Sequence, residues 1–137
     1  KDATVMITRE ADLKSLFHGR STNIWEMMEC VAGFGCAFVI IDDFPRGFYF
    51  YDATNSSRYR VPRYPGKVFD PTGEIDSFCG GFLVGFQSHY DPLRSVVQGS
   101  AAASITVENT GPFAINDCLP GLDQMRMDVI QNMITRV

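Results

Sequence analysis

The residues best suited to chemistry lie in one segment, Asp70 to Phe86, which reads DPTGEIDSFCGGFLVGF. A Pro71-Thr72-Gly73 loop there runs directly into small and apolar residues at helical spacing. Backbone N–H groups at the start of a helix form a ready anion site. Asp76 would oppose an anion at that place unless it serves as a base or a cap. Its plainer role is that of a first-turn acid complementing the helix dipole. Other polar residues carry less. Cys30, Cys36, Cys79 and Cys118 form no CxxC pair, and the histidines are His18 and His89, so a zinc site is not expected. Cys36 and Cys79 sit in apolar runs and read as buried thiols. Arg58, Arg60 and Arg63 read as one solvated strand face, and His89 as a cation at a helix C-terminus.

The elements that must position this segment follow from pattern. Ala3–Ile7 is expected as a short strand and Asp12–Phe17 as a brief helix ended by Gly19. Ser21 or Thr22 can cap a second helix carrying Trp25, Met28, Val31 and Ala32, closed by Gly33 and Gly35. Cys36–Ile41 is continuously apolar, as in a strand buried on both faces. Asp42–Arg46 turns into a strand at Phe48–Tyr51. Asn55–Ser57 is a further turn, before a strand with Tyr59 and Val61. Phe78, Phe82, Gly85 and Phe86 mark one helix face. Asp91-Pro92 opens the next helix, whose stripe is Val96, Val97, Ala101, Ser104 and Ile105. A loop is expected from Asn109 to Pro112. A last helix carries Leu122, Met125, Val129, Ile130, Met133 and Val137. The order predicts an α/β layered fold, a mixed sheet flanked by helices.

Bulk properties narrow the partners. The 137 residues suit one domain, 1–137, with 45% hydrophobic and 20% charged residues. A net charge of −4 and the lack of a basic cluster argue against nucleic acid. No apolar run reaches the roughly 18 residues of a membrane span, and no signal peptide is visible. Cysteine usage fits a reduced, cytoplasmic setting. Because Lys1 leads almost at once into an apolar strand, the chain reads as entered partway through a fold. One sheet edge and one helix face are therefore expected to associate with a second copy or with a missing N-terminal segment.

The Asp70–Phe78 stretch and the Cys79-Gly80-Gly81-Phe82-Leu83 helix start resemble the C-terminal signature of the PfkB, or ribokinase-like, kinases. Asp91-Pro92-Leu93 and the small-residue run from Gln98 to Ala103 resemble that family's next helix. The resemblance implies the C-terminal, nucleotide-binding part of a ribokinase-like fold, with the part that binds acceptor and carries the lid absent. It also implies ATP and Mg²⁺ as cofactors and in-line phosphoryl transfer to a sugar or nucleoside hydroxyl. Asp76 matches the catalytic base. Thr72, Gly73, Glu74 and Ile75 match the anion hole. Gln98, Ala102, Asn109 and Gly111 lie where such kinases hold adenine. Asp12 is the nearest match to an acid that helps hold magnesium.

Three places depart from the family pattern. Glu74-Ile75 replaces Ala-Gly before Asp76, adding a charge and a β-branched side chain where glycine lets amides reach phosphate. Asp42-Asp43-Phe44 stands where a Thr or Lys and a glycine are expected. Arg9-x-x-Asp12 replaces Asn-x-x-Glu. The anion hole thus reads as degenerate, which leaves two functions open: a working kinase, or a catalytically inactive kinase-like domain kept to bind nucleotide, metabolite or protein. A third possibility gathers Asp42, Asp43, Glu74 and Asp76 around a divalent metal.

Overall fold

The computed structural model describes residues 3–18, 20, 23–109 and 120–137. Gly19, Ser21, Thr22, Gly111 and most of the Asn109–Pro112 loop lie outside the described residues. The chain divides into two compact units, residues 1–60 with 135–137, and residues 61–134.

The first unit is built on a mixed five-stranded sheet in the order of the sequence: β1 (Val5–Arg9), β2 (Phe38–Asp43), β3 (Gly47–Asp52), β4 (Ser57–Pro62) and β5 (Thr135–Arg136). β1 runs parallel to β2, with Ile7 beside Ile40. The β2–β3 and β4–β5 pairs are antiparallel. Every residue of β2 is buried, as its unbroken apolar run predicts. The strand extends two residues past that run, so Asp42 and Asp43 belong to it and not to the following turn. Between β1 and β2 come α1 (Glu10–Phe17) and α2 (Ile24–Ala32). Leu13 of α1 and Met27, Met28 and Val31 of α2 pack with Val39, Ile41 and Tyr51 into one core. Asn23 caps α2, its side-chain oxygen accepting from the Trp25 amide at 2.9 Å.

The arginines of β4 are paired, which corrects the expectation of a solvated face. Arg58 binds Glu29. Arg60 lies 3.9 Å over the Tyr49 ring and 3.4 Å from Asp43. Arg58 finds an acid on α2, and Arg60 an acid on β2 and a ring on β3, partnerships that neighbours in sequence do not reveal. Cys36 and Cys79 are half-buried, and Cys30 is exposed.

The second unit holds α3 (Glu74–His89), α4 (Pro92–Val107) and α5 (Leu122–Met133). α3 carries a row of rings, with Phe78, Phe82 and Phe86 stacked at 6.4 and 5.8 Å. Asp91 caps α4 through the Arg94 amide at 3.2 Å, with proline at the first turn. From Ser95 to Val107 all but Gln98 are buried. Two of the buried hydroxyls turn back on their own chain, Ser95 donating to the Asp91 carbonyl and Ser104 to that of Ala101, both at 2.6 Å. α5 ends at Met133 and the chain then pairs as β5, so Val137 is not helical. Arg126, Met127 and Ile130 are its buried residues, while Met125 and Met133 are exposed. Arg126 explains the shift from the expected stripe, since its partners lie on α4.

α3 and α4 meet across glycines. A Cβ on Gly99 would stand 2.7 Å from the Phe78 carbonyl oxygen, and one on Gly81 2.9 Å from the Ala102 Cβ. A Cβ on Gly80 would meet nothing within 4 Å. Gly99→Ala should therefore lower stability by about 1–3 kcal/mol through overpacking. Gly80→Ala should raise it by up to ~1 kcal/mol through helix propensity. Urea denaturation of the two variants checks the contrast.

Asp43 is 4% exposed. Burial pushes its carboxyl up. Arg46 donates from Nε and Nη2 at 3.0 and 2.8 Å, and together with a carboxyl contact to Glu10 and the charge of Arg60 this outweighs burial, holding the pKa below its ordinary value. A depressed folded pKa contributes stability that is present above the unfolded value, about 3.9, and is lost as pH falls through the folded one. The urea midpoint of the wild type should thus fall more steeply from about pH 5 to about pH 3 than that of Asp43→Asn, with the variant the less stable at pH 7.

Candidate functional site

The loop before α3 is held at both ends. The amides of Phe69 and Asp70 donate to the Val107 carbonyl at the end of α4, at 2.7 and 3.0 Å. Asp70 Oδ1 accepts from the Thr72 amide at 2.9 Å, closing an Asx turn. Gly73 is the N-cap of α3, with φ of 80° in the left-handed region that a side chain disfavours. The Glu74 amide donates to the Pro71 carbonyl at 3.2 Å, and the Ser77 amide to that of Gly73 at 2.9 Å. The amides of Ile75 and Asp76 lie in the first turn, which no intrahelical carbonyl reaches.

The two acids of this turn face different ways. Glu74 is 6% exposed, whereas Asp76 is exposed. Residues two apart on a helix stand about 200° apart, so an inward Glu74 requires an outward Asp76. Thr72 is exposed, and Gly73 and Ile75 are half-buried.

A cavity of about 380 Å³ opens between α3 and α4, just beyond this turn. Ser77, Gly80 and Gly81 line it from α3, Gln98, Ala102 and Ile105 from α4, and Asp123 from the start of α5. Its first wall residue, Ser77, follows Asp76 directly and accepts from Thr106 Oγ1 at 2.7 Å. The expected nucleotide contacts Gln98 and Ala102 thus share a wall. Asn109 lies past the C-terminus of α4 and donates from Nδ2 to the Ile105 carbonyl at 3.3 Å. The glycines and Ser77 of the α3 wall were not anticipated as ligand-facing. Their signal was the Ser77, Gly81, Gly85 spacing of four, which marks one helix face.

The remaining expected residues lie in the first unit. Asp12 is exposed on the first turn of α1, and Arg9 is its N-cap. Asp42 and Asp43 are buried, with Asp43 committed to Arg46 and Arg60. Among the described residues no three His, Cys, Asp or Glu side chains gather as a metal site.

Arg63, expected on a solvated face, is half-buried, and Arg126 and Glu108 had no expected role. Arg126 is 5% exposed, donates to Ser104 Oγ at 3.0 Å and Glu108 Oε2 at 2.5 Å, and lies 4.5 Å over the Tyr64 ring. Burial lowers the Arg63 pKa, the charges of Glu74 and Glu108 raise it, and that of Arg126 opposes them.

Known proteins resemble the chain in sequence and in fold. The chain is 33% identical over 84 residues to a cytidine kinase of Thermococcus kodakarensis, covering 61% of this chain and 30% of that one. A ribokinase from Thermotoga maritima superposes with a TM-score of 0.75 at 21% identity, over 94% of this chain and 42% of the other. An Escherichia coli protein, described as a ribokinase II candidate and solved in complex with ATP and Mg²⁺, gives 0.73 at 21% identity, over 95% of this chain and 39% of that one. These two likenesses show a ribokinase-like fold, and the chain spans less than half the length of each of the three. Residues 1–117 match the profile of the pfkB family of carbohydrate kinases, and with that match over most of its length the chain belongs to this family.

Proposed function

We propose that the chain supplies the nucleotide-binding part of a kinase that transfers a phosphoryl group from ATP to a hydroxyl of a sugar or nucleoside. The observation that carries this is the cavity opening one residue after Asp76, at the N-terminus of a 16-residue helix. A volume of about 380 Å³ is within the range of small-molecule sites. Its small-residue walls at Gly80, Gly81 and Ala102 suit a nucleobase, and Gln98, half-buried in the α4 wall, offers amide hydrogen bonds to a ring edge. Asn109 and Gly111 are assigned to the same end of the nucleotide.

The phosphates then point toward the loop of Thr72, Gly73, Glu74 and Ile75. First-turn amides and the helix dipole stabilise negative charge there. Asp76 accepts the proton of the acceptor hydroxyl, that oxygen bonds to the γ-phosphorus, and the bond from γ-phosphorus to the bridging oxygen breaks to release ADP. Mg²⁺, which the family resemblance implies, would when bound neutralise charge on the nucleotide phosphates. The free thiols Cys30, Cys36 and Cys79 support a cytoplasmic setting. β1 is an edge of the sheet, and we assign it as the place where an N-terminal segment or a second copy adds.

One observation favours the alternative of an inactive binding domain. Ile75 places a β-branched side chain in the turn whose amides must reach phosphate. Calorimetric titration with ATP and ADP, with and without Mg²⁺, tests the proposal, and Mg²⁺-dependent micromolar binding is expected. Ile75→Gly should tighten ATP binding by roughly tenfold, equivalent to about 1.4 kcal/mol. Asp76→Asn should abolish phosphoryl transfer by the full-length gene product while leaving ADP binding intact. Binding without any transfer by the full-length gene product would select the inactive domain, and no nucleotide binding by that product would end the kinase reading and leave a metabolite or protein as the ligand of the inactive domain.

A further inference from the structure

Gln98 stands in the α4 wall of the cavity, and its amide can offer a ring edge either a donor or an acceptor. His89, the last residue of α3, bears on that choice. Its Nδ1 accepts from the Asp91 amide at 3.2 Å. An accepting Nδ1 makes the ring neutral and leaves its proton on Nε2. That bond also holds the ring in place, because Asp91 is itself fixed as the N-cap of α4. Nε2 is shielded from solvent and meets no hydrogen-bond acceptor among the described residues. A donor buried in this way is unfavourable until it finds one.

The acceptor that the fold brings toward it is Gln98 Oε1. A Cβ on Gly85 would stand 2.7 Å from Gln98 Oε1, 3.2 Å from its Cδ and 3.3 Å from His89 Nε2. Amide oxygen and ring nitrogen thus flank one point, which glycine keeps empty. Gln98 turns its oxygen end to that point, and its amide nitrogen lies farther away. We infer that His89 is a positioning residue for Gln98: as a base enters the cavity, His89 Nε2–H takes Gln98 Oε1 into a hydrogen bond across Gly85, and the amide NH₂ is left to donate to a ring nitrogen of the base. The inference rests on the nucleotide-binding reading. An amide free to turn over would set its oxygen against that nitrogen part of the time, two acceptors face to face. His89 thus converts an ambivalent side chain into a donor, and the site selects a base edge that carries an acceptor.

The experiment is calorimetry of the full-length gene product with Mg²⁺-ADP and with its deaza analogues, in each of which one ring nitrogen of adenine is replaced by C–H. One analogue should bind the wild type roughly tenfold more weakly than ADP. Two variants then separate the nitrogens of His89. Asparagine keeps an acceptor near the Nδ1 position and loses the Nε2 donor, whereas glutamine reaches the Nε2 position with an amide donor. His89→Asn should shrink the difference between ADP and that analogue to about threefold or less, and His89→Gln should restore it in part. Gln98→Glu, which has no amide donor, should abolish it. A purely structural role, holding the Asp91 amide, predicts the reverse order, with His89→Asn like the wild type and His89→Gln impaired. Equal binding of ADP and every analogue to the wild type, or undiminished discrimination in His89→Asn, overturns the inference while leaving the nucleotide reading in place. A wild type that binds no Mg²⁺-ADP overturns the nucleotide reading itself, and the positioning role with it.

Discussion

The close crossing of α3 and α4 governs the second unit. Gly81 lies against Ala102, and Gly99 against the backbone of Phe78. With no side chains at these places, two long helices approach near backbone contact. That approach brings Thr106 within 2.7 Å of Ser77 and so fixes the first turn of α3 from its inner side. The same small residues that permit the crossing leave the cavity on its flank, because Gly80 and Ala102 fill little of the space beside them. Packing and binding surface arise from one choice of residue type.

The polar ends of these helices pose a separate problem. A buried helix terminus leaves carbonyls that need donors. The Val107 carbonyl accepts two amides from the incoming loop, so the end of α4 and the approach to α3 satisfy one another. Gly73 then turns the chain with a positive φ, and the cluster of Arg63, Tyr64, Glu108 and Arg126 holds the approach from beneath. A desolvated guanidinium is tolerated there because ring, hydroxyl and carboxylate each occupy part of it.

Comparable logic operates in the first unit. β2 is covered on both faces, and its last two residues are acids. Asp43 stays ionised in that position because Arg46 offers two donors and Arg60 a second charge. Arg60 in turn rests on Tyr49. The carboxylate, the two cations and the ring are contributed by β2, β3, β4 and the turn between the first two, so the full set comes together only in the formed sheet, although Arg46 and Asp43 are a local pair.

Much of the fold was readable in the chain. The unbroken apolar run at β2, the Asp91-Pro92 start of α4 and the Pro-Thr-Gly entry to α3 report local backbone preferences, which act over a few residues. The Asp70–Phe82 signature likewise fixed the family, since turn chemistry and helix start are local. What the sequence did not disclose depends on partners distant along the chain. The stripe of α5 was misplaced because Arg126, a charged residue, is drawn inward by Ser104 and Glu108. The arginines of β4 read as solvated in sequence because their partners, Glu29 of α2 and Asp43 of β2, are distant along the chain. Above all, the facing of Glu74 and Asp76 could not be read from DPTGEID alone. Both carboxylates suit a helix N-terminus equally well. Only the packed unit, in which Ser77 beside this turn meets Thr106 of α4, decides that Glu74 is buried and Asp76 exposed.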